Sequence, residues 1–203
     1  MAGLTFGFSL RFEGGRNIPS EGPALLVANH QSFIDPIAIG LTTSRQLHYL
    51  ARKTLFKPGF GWFLRSVNCV PVDQEGVAKE GLKTILHLLG EGRAVLVFPE
   101  GERTWKGNVQ EFKPGVHLLI RKAHVPIIPI GIAGFYEAYP RTRLIPRLSP
   151  IFMPATGAAL AVSVGKPIPS DRYAGLSREE TLASLREEIV KLTARAEAIR
   201  RKR

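Results

Sequence analysis

Two short, wholly apolar runs of this chain are each followed at once by a polar loop. The run Ala24–Ala28 leads into Asn29–His30, and the run Ala94–Phe98 leads into Pro99–Glu100. Short apolar runs bounded by turn residues are typical of strands buried on both faces, as in a parallel sheet covered by helices. If the two strands are parallel in one sheet, both loops open on the same crevice, where α/β proteins bind ligands.

The rest of the chain alternates helical and strand-like patterns. Apolar residues at helical spacing predict helices over Val77–Leu89 and Gly115–Ala123. Further strand-like runs cover Leu4–Phe12, Val125–Ile132 and Leu160–Val164. The two prolines of Val125–Ile132 favour an edge or irregular strand. Strands that alternate with helices predict an α/β fold, here a layered single domain with a mixed, largely parallel sheet flanked by helices.

Capping residues mark where two helices begin. Asp35 followed by Pro36 is typical of a helix start, with Asp35 as the N-cap. Ser177 and Glu180 have the spacing of a capping box, and apolar residues at helical spacing follow them. Residues 1–203 are therefore interpreted as one domain, in which residues 177–203 form an amphipathic helix and a basic, solvated tail. Residues 141–154, rich in Pro and Arg, are predicted to be loop.

Composition narrows the kinds of partner. The chain of 203 residues contains a single cysteine, Cys69, so no disulfide can form within it and a cysteine-based zinc site is not expected. The 28 Lys and Arg residues against 17 Asp and Glu give a net charge of +11, which favours an anionic partner. Because no nucleic-acid-binding motif is present, nucleic acid is not among the expected partners.

One segment has the composition of a membrane-binding surface. Phe56, Phe60, Trp62 and Phe63 lie among Arg52, Lys53, Lys57 and Arg65, as suits insertion at an anionic membrane surface. An equally weighted interpretation places these aromatic side chains in the core. The sequence contains neither an apolar run long enough to span a bilayer nor a secretory pattern at its start. We therefore expect a peripheral protein on the cytoplasmic face of the cell membrane.

The loop after Ala28 contains a histidine and an aspartate that can act as a proton-transfer pair. His30 is followed by Asp35 after four intervening residues. Histidine is the side chain most suited to accepting and returning a proton near neutral pH, and a carboxylate at one ring nitrogen orients it. A simpler interpretation is that Asp35 only caps a helix and that His30 is a surface residue.

The loop after Ala94–Phe98 has the composition of a ligand-binding turn. It reads Pro99-Glu100-Gly101-Glu102-Arg103-Thr104. Gly101 would let the backbone approach a substrate, and Arg103 could bind a phosphate through two hydrogen bonds. A polar turn with no binding role remains the alternative.

Together, these blocks resemble the glycerolipid acyltransferase superfamily, and most of all the 1-acylglycerol-3-phosphate (lysophosphatidate) acyltransferases. Residues Asn29–Asp35 match the family's N-H-x4-D block, and Phe98–Thr104 match its F-P-E-G-x-R-S/T block. Val125–Ile130 match its apolar V-P-I-x-P-V block, and Phe112–Gly115 resemble the link between the last two. The resemblance covers roughly Gly14–Tyr139 and implies a glycerol-3-phosphate-acyltransferase-like fold.

The resemblance implies an acyl transfer that needs neither cofactor nor metal. His30 would remove the proton of the acceptor hydroxyl as it attacks the thioester of acyl-CoA or acyl-acyl-carrier protein, and Asp35 would orient His30. The acceptor would be a lysophospholipid, and 1-acylglycerol-3-phosphate would give phosphatidic acid. The residues implied in acceptor binding are Gln74, Glu100, Gly101, Arg103, Thr104 and Lys113.

One position departs from the family. An Arg usually follows the second block, but here Val70–Asp73 is followed by Gln74, which carries no charge. Gln74 therefore favours an alternative in which another lysolipid or alcohol is the acceptor, although Arg52, Lys53, Lys57 or Arg65 could supply the missing charge. A second alternative, a non-catalytic basic module that binds lipid, would leave the two paired blocks unexplained.

Overall fold

A seven-stranded sheet forms the centre of the protein. The computed structural model describes residues 9–72, 77–147 and 159–201. The strands are β1 (Arg11–Glu13), β2 (Ala24–Ala28), β3 (Leu47–Arg52), β4 (Cys69–Val72), β5 (Ala94–Val97), β6 (Ile127–Ala133) and β7 (Ala161–Val164). Their order across the sheet is β1-β7-β6-β2-β5-β3-β4. Only the β6–β7 pair is antiparallel among these strands, which confirms the largely parallel α/β fold.

Strand β2 lies at the middle of the sheet, and its position determines where the loops open. It pairs in parallel with β5, with Leu25 opposite Val95, and with β6, with Leu26 opposite Ile128. Every residue of β2 is buried, as the unbroken apolar run predicts. The loops after β2 and β5 therefore lie side by side at the carboxyl edge of the sheet.

The helices cover both faces of the sheet. They are α1 (Asp35–Gly40), α2 (Phe60–Ser66), α3 (Val77–Gly90), α4 (Gly115–Ala123), α5 (Phe135–Ala138) and α6 (Arg178–Arg201). Leu26 belongs to a core cluster that includes residues of α1 and α5. Leu25 belongs to the opposite cluster, with residues of α3, α4 and α6. Successive strand residues thus face different helix layers.

The prediction of an edge position for the Val125–Ile132 run is wrong. Strand β6 is fully buried between β2 and β7. Pro129 lies just beyond the last β6–β7 pair, Ile130 with Val164, so its missing N–H falls at the end of that ladder. The carbonyl of Pro129 instead accepts a hydrogen bond from the N–H of Gly165.

Helix α6 confirms its predicted capping box. The Ser177 N–H donates to Glu180 Oε2 at 2.8 Å, and the Glu180 N–H donates to Ser177 Oγ at 3.2 Å. The prediction of a solvated basic tail is wrong for Arg200, which is buried and paired with Glu137 and Glu197. Lys202 and Arg203 lie outside the described residues.

Two other segments extend only partly into the described residues. The predicted strand Leu4–Phe12 appears as β1 over Arg11–Glu13, and its first five residues lie outside the description. Residues 141–147 contain no helix or strand, as predicted, whereas 148–154 are not described. No helix in the described ranges is both long enough and apolar enough to cross a bilayer.

Candidate active site

His30 and Asp35 meet at the carboxyl edge of the sheet. His30 is the second residue after β2, and its Nδ1 lies 2.8 Å from Asp35 Oδ2. Because an ionised carboxylate only accepts hydrogen bonds, Nδ1 is the donor and Nε2 is left to accept a proton. The imidazole stacks on the Phe98 ring, with centroids 4.0 Å apart, so its plane is fixed by the loop after β5.

The Asp35 carboxylate is fully buried and serves the loop rather than the helix that it begins. Its Oδ2 also accepts the backbone N–H groups of Gln31, at 2.6 Å, and Ser32, at 2.7 Å. The prediction of Asp35 as an N-cap is therefore wrong: α1 begins at Asp35, and the N-cap position is Ile34, which makes no side-chain cap. Burial raises the pKa of Asp35, and the hydrogen bond from His30 is the strongest of the contacts that oppose the rise.

Glu100 fastens the loop after β5 to the loop after β2. Its Oε1 accepts the backbone N–H of His30 at 3.0 Å, and its Oε2 accepts Gln110 Nε2 at 3.1 Å. The Thr104 N–H donates to the His30 carbonyl at 2.8 Å. Glu100 is buried, and this burial raises the pKa of its carboxyl group. Both carboxylate oxygens are thus occupied within the protein, which indicates a positioning role for Glu100.

The other residues predicted for acceptor binding differ in their exposure and in their contacts. Gly101 has a φ of 77° and lies beside the Lys113 side chain, near enough that a Cβ on Gly101 would meet Lys113 Cγ at 3.3 Å. Thr104 is fully buried, and its Oγ1 accepts the N–H groups of Lys106 and Gly107. Thr104 therefore stabilises the turn. Gln74 lies outside the described residues.

Arg103 places a positive charge beside the His30–Asp35 pair. Its guanidinium lies over the Phe33 ring, 3.5 Å from the centroid, and its Nη1 is buried without a hydrogen-bond partner in the described part of the chain. Burial lowers the pKa of Arg103, and the positive charges of Arg141 and, more weakly, Arg52 lower it further, while the negative charge of Asp35 opposes the shift. The Arg103 guanidinium stays protonated, so this arrangement suits an anionic ligand that would relieve the repulsion.

Sequence reasoning missed the buried amide side chain next to His30. Asn29 Nδ2 donates to the Ile132 carbonyl at 3.1 Å, and the Ile132 N–H donates to Asn29 Oδ1 at 2.8 Å. Thr193 of α6 also donates to Asn29 Oδ1, at 3.3 Å. Asn29 thus joins the ends of β2 and β6 to the C-terminal helix, just before His30.

Gln31, on the other side of His30, was also missed. Its Nε2 donates to the Gly107 carbonyl at 2.8 Å, and its Oε1 accepts the N–H groups of Phe135 and Tyr136. Asn29 and Gln31 lie in a polar loop and Asn29 begins the N-H-x4-D block, but their contacts left no local signal because their partners are distant in sequence. Together these amides hold the loop of His30 in place from both sides.

Comparisons with known proteins find similarity over more than half of the chain. A protein-family model described as Acyltransferase matches residues 9–133. The chain is 31% identical over 137 residues to a chloroplastic 1-acyl-sn-glycerol-3-phosphate acyltransferase of Arabidopsis thaliana. This match covers 66% of the present chain and 38% of the Arabidopsis protein. The chain is 27% identical over 179 residues to a 1-acyl-sn-glycerol-3-phosphate acyltransferase of Bacillus subtilis, covering 84% of this chain and 79% of that protein.

A solved structure shares the fold. The crystal structure of the 1-acyl-sn-glycerophosphate acyltransferase PlsC from Thermotoga maritima superposes with a TM-score of 0.71 at 27% identity. The match covers 93% of this chain and 72% of the Thermotoga chain. The chain therefore spans most of the Thermotoga and Bacillus proteins, but less than half of the Arabidopsis protein.

Proposed function

The chain belongs to the acyltransferase family, and from this premise we propose that it transfers a fatty acyl group from an acyl thioester to the hydroxyl of 1-acylglycerol-3-phosphate, giving phosphatidic acid. The observation that carries the proposal is the 2.8 Å contact between His30 Nδ1 and Asp35 Oδ2 beside the guanidinium of Arg103. A base and an anion-binding group are thereby adjacent at one edge of the sheet.

His30 acts as the general base. Its Nε2 accepts the proton of the acceptor hydroxyl while that oxygen attacks the thioester carbonyl, and the thiolate leaves as the tetrahedral intermediate collapses. The proton on Nε2 is then available to the departing thiolate. Asp35 keeps the second ring nitrogen protonated and stabilises the imidazolium that forms. General-base catalysis of this kind contributes about 10²–10⁴-fold.

Arg103 binds the acceptor phosphate, with Arg52 as its second cation. Arg52 ends β3, which lies next to β5 in the sheet, and its charge acts on the Arg103 guanidinium. Guanidinium groups suit phosphate because two N–H donors can bind two of its oxygens. Gly101 and Lys113 lie next to each other on the same loop and contact the acceptor head group. In this arrangement Arg52 supplies the charge that Gln74 lacks.

The decisive experiment measures thiol release by the purified protein with acyl-CoA, and separately with acyl-acyl-carrier protein, in the presence of 1-acylglycerol-3-phosphate. Mass spectrometry should identify phosphatidic acid as the product. His30→Ala should reduce kcat by about 10²–10⁴-fold while the circular dichroism spectrum stays unchanged. His87→Ala, which alters an exposed histidine on α3, is the matched control and should retain full turnover. Near-normal turnover by His30→Ala would refute the mechanism.

The acceptor is tested separately from the chemistry. Arg103→Ala should raise the KM for 1-acylglycerol-3-phosphate far more than it lowers kcat, because the guanidinium binds the phosphate and moves no proton. A panel of lysolipids and alcohols with and without a phosphate decides between this acceptor and the alternative suggested by Gln74. An unchanged KM in Arg103→Ala, or a preference for acceptors without phosphate, would assign the chain to that alternative.

A further inference from the structure

Large apolar side chains are exposed mainly at the edge of the sheet that holds His30. Phe33 follows β2, Phe60 and Trp62 follow β3, Trp105 follows β5, and Leu144 and Ile145 follow β6 and α5. These six residues, here called the apolar rim, are strongly exposed: 76% for Trp62, 94% for Leu144 and 75% for Ile145. Because β2, β3, β5 and β6 run in the same direction, the segments that contribute the rim all leave the same edge of the sheet.

Contacts between neighbouring loops hold part of the rim together. The Arg141 guanidinium lies over the Trp105 ring, 3.5 Å from the centroid, as the Arg103 guanidinium does over Phe33. The Phe33 and Tyr139 rings are 6.3 Å apart. The loops after β2, β5 and β6 therefore form one continuous surface directly beside the His30–Asp35 pair.

The charge around the rim is almost entirely positive. Residues 50–66, 101–109 and 139–147 contain a single acidic residue, Glu102, which is paired with Arg141 at 3.0 Å. Exposed cations in the same segments are Arg52, Lys57, Arg65, Lys106, Arg143 and Arg147. The acidic residues of α6, such as Glu179, Glu180, Glu187 and Glu188, lie on a different element. The net charge of +11 is thus concentrated where the apolar side chains are exposed.

We propose that the apolar rim inserts into the surface of an anionic lipid bilayer, so that the active-site edge of the sheet faces the membrane. Exposed aromatic and aliphatic side chains bordered by cations are what an anionic interface binds, and tryptophan is favoured at the boundary between head groups and chains. This orientation lets a lipid acceptor reach His30 without leaving the bilayer. The inference rests on the proposed function because it assigns the acceptor's entry route.

The two tryptophans allow a direct test, because Trp62 and Trp105 are the only ones in the chain and both belong to the rim. Trp62→Phe and Trp105→Phe each leave one reporter. In vesicles of phosphatidylcholine and phosphatidylglycerol, brominated acyl chains should quench the remaining tryptophan in both variants. Failure of the protein to sediment with these vesicles would overturn the proposal. Sedimentation without quenching in either variant would also overturn it, because another surface would then hold the membrane.

Charge variants test the exposed cations around the rim, here called the cationic border. Arg143→Gln with Arg147→Gln removes two exposed charges of the border, and Lys83→Gln with Lys122→Gln removes two exposed charges of α3 and α4. At about fivefold per basic residue near an anionic surface, the first pair should lower the vesicle partition coefficient by about 25-fold. The second pair should change it by less than about twofold. Equal losses in the two pairs would show that net charge, and not the rim, directs binding.

Activity measurements separate this inference from the proposed function. The Arg143→Gln, Arg147→Gln protein should transfer acyl groups normally to acceptor dispersed in detergent and poorly to acceptor embedded in anionic vesicles. Equal activity of this variant and the unaltered protein on vesicles would overturn the membrane orientation while the chemistry stands. Vesicle binding without any transfer would overturn the proposed function alone. If the protein instead bound an acidic carrier protein more tightly than anionic vesicles, the rim would be assigned to a protein partner. The proposal that it inserts into a bilayer would then be refuted.

Discussion

Replacing Asn29 by Ala should destabilise the fold and the loop that carries His30 together. The Asn29 side chain makes two hydrogen bonds with the backbone of Ile132, at 3.1 and 2.8 Å, in a fully buried environment. Each buried group left without a partner costs about 1–3 kcal/mol. With two such groups on β6, we expect the free energy of unfolding to fall by about 3 kcal/mol, near the lower end of the sum, because water can enter the space vacated by the amide.

Urea denaturation measures this loss. With a urea m-value of about 2 kcal/mol/M, the loss corresponds to a midpoint about 1.5 M lower. Asn108→Ala, which changes an exposed asparagine in a turn after β5, is the control and should shift the midpoint by less than about 0.3 M. Because His30 follows Asn29 directly, kcat of folded Asn29→Ala should also fall. Equal midpoints for the two variants would refute the assignment of Asn29 as the link between β2 and β6.

Two further perturbations test the packing of α6 and the buried Glu100. Gly131→Ala would place a Cβ against backbone atoms of Leu192 and Thr193 in α6, which cannot move aside as a flexible side chain can. A Cβ at Gly115 would meet no atom within 4 Å. Gly131→Ala should therefore cost about 1–3 kcal/mol or more in urea unfolding and Gly115→Ala less than about 0.5 kcal/mol; equal losses would contradict the packing. Because the folded pKa of Glu100 is raised, the folded state binds more protons than the unfolded state between the ordinary carboxyl pKa and the folded one. The free energy of unfolding should thus fall as pH rises through that window. Glu100→Gln should flatten the fall, and an unchanged slope would show that Glu100 is not the cause.

The elements that the sequence predicted well carry their pattern within themselves. Strands β2 and β5 are continuous apolar runs, and α3, α4 and α6 repeat apolar residues at helical spacing. Strand β3, with the sequence Leu-His-Tyr-Leu-Ala-Arg, mixes polar and apolar residues and is only partly buried. Its pairing with β4 and β5 therefore left no pattern that a scan along the chain could detect. The short helices α2 and α5 escaped detection for a similar reason.

The sequence indicated the residue types of the candidate site but not the hydrogen bonds that hold its loop in place. Four residues separate His30 from Asp35 in the sequence, and such a local pair can be recognised from its spacing. The partners of Asn29 and Gln31 lie about a hundred residues away, at Ile132 and Phe135, so only the folded chain reveals them. The same limit explains the error at Asp35, because N-cap and histidine-orienting carboxylates have the same sequence pattern, and the turn at Gln31–Ser32 decides between them.

The contacts of the loop that carries His30 explain how a loop can hold a side chain in a fixed geometry. Loops at the edge of a sheet are usually its least rigid part, yet the proposed mechanism requires the His30 imidazole to stay within hydrogen-bond distance of Asp35. Glu100 holds the His30 N–H and Thr104 holds the His30 carbonyl, while Phe98 stacks on the ring. Backbone and ring are thus fixed by the neighbouring strand's loop. The geometry of the His30–Asp35 pair therefore depends on the parallel pairing of β2 with β5, and any variant that shifts this register should lose the proposed activity before it loses the fold.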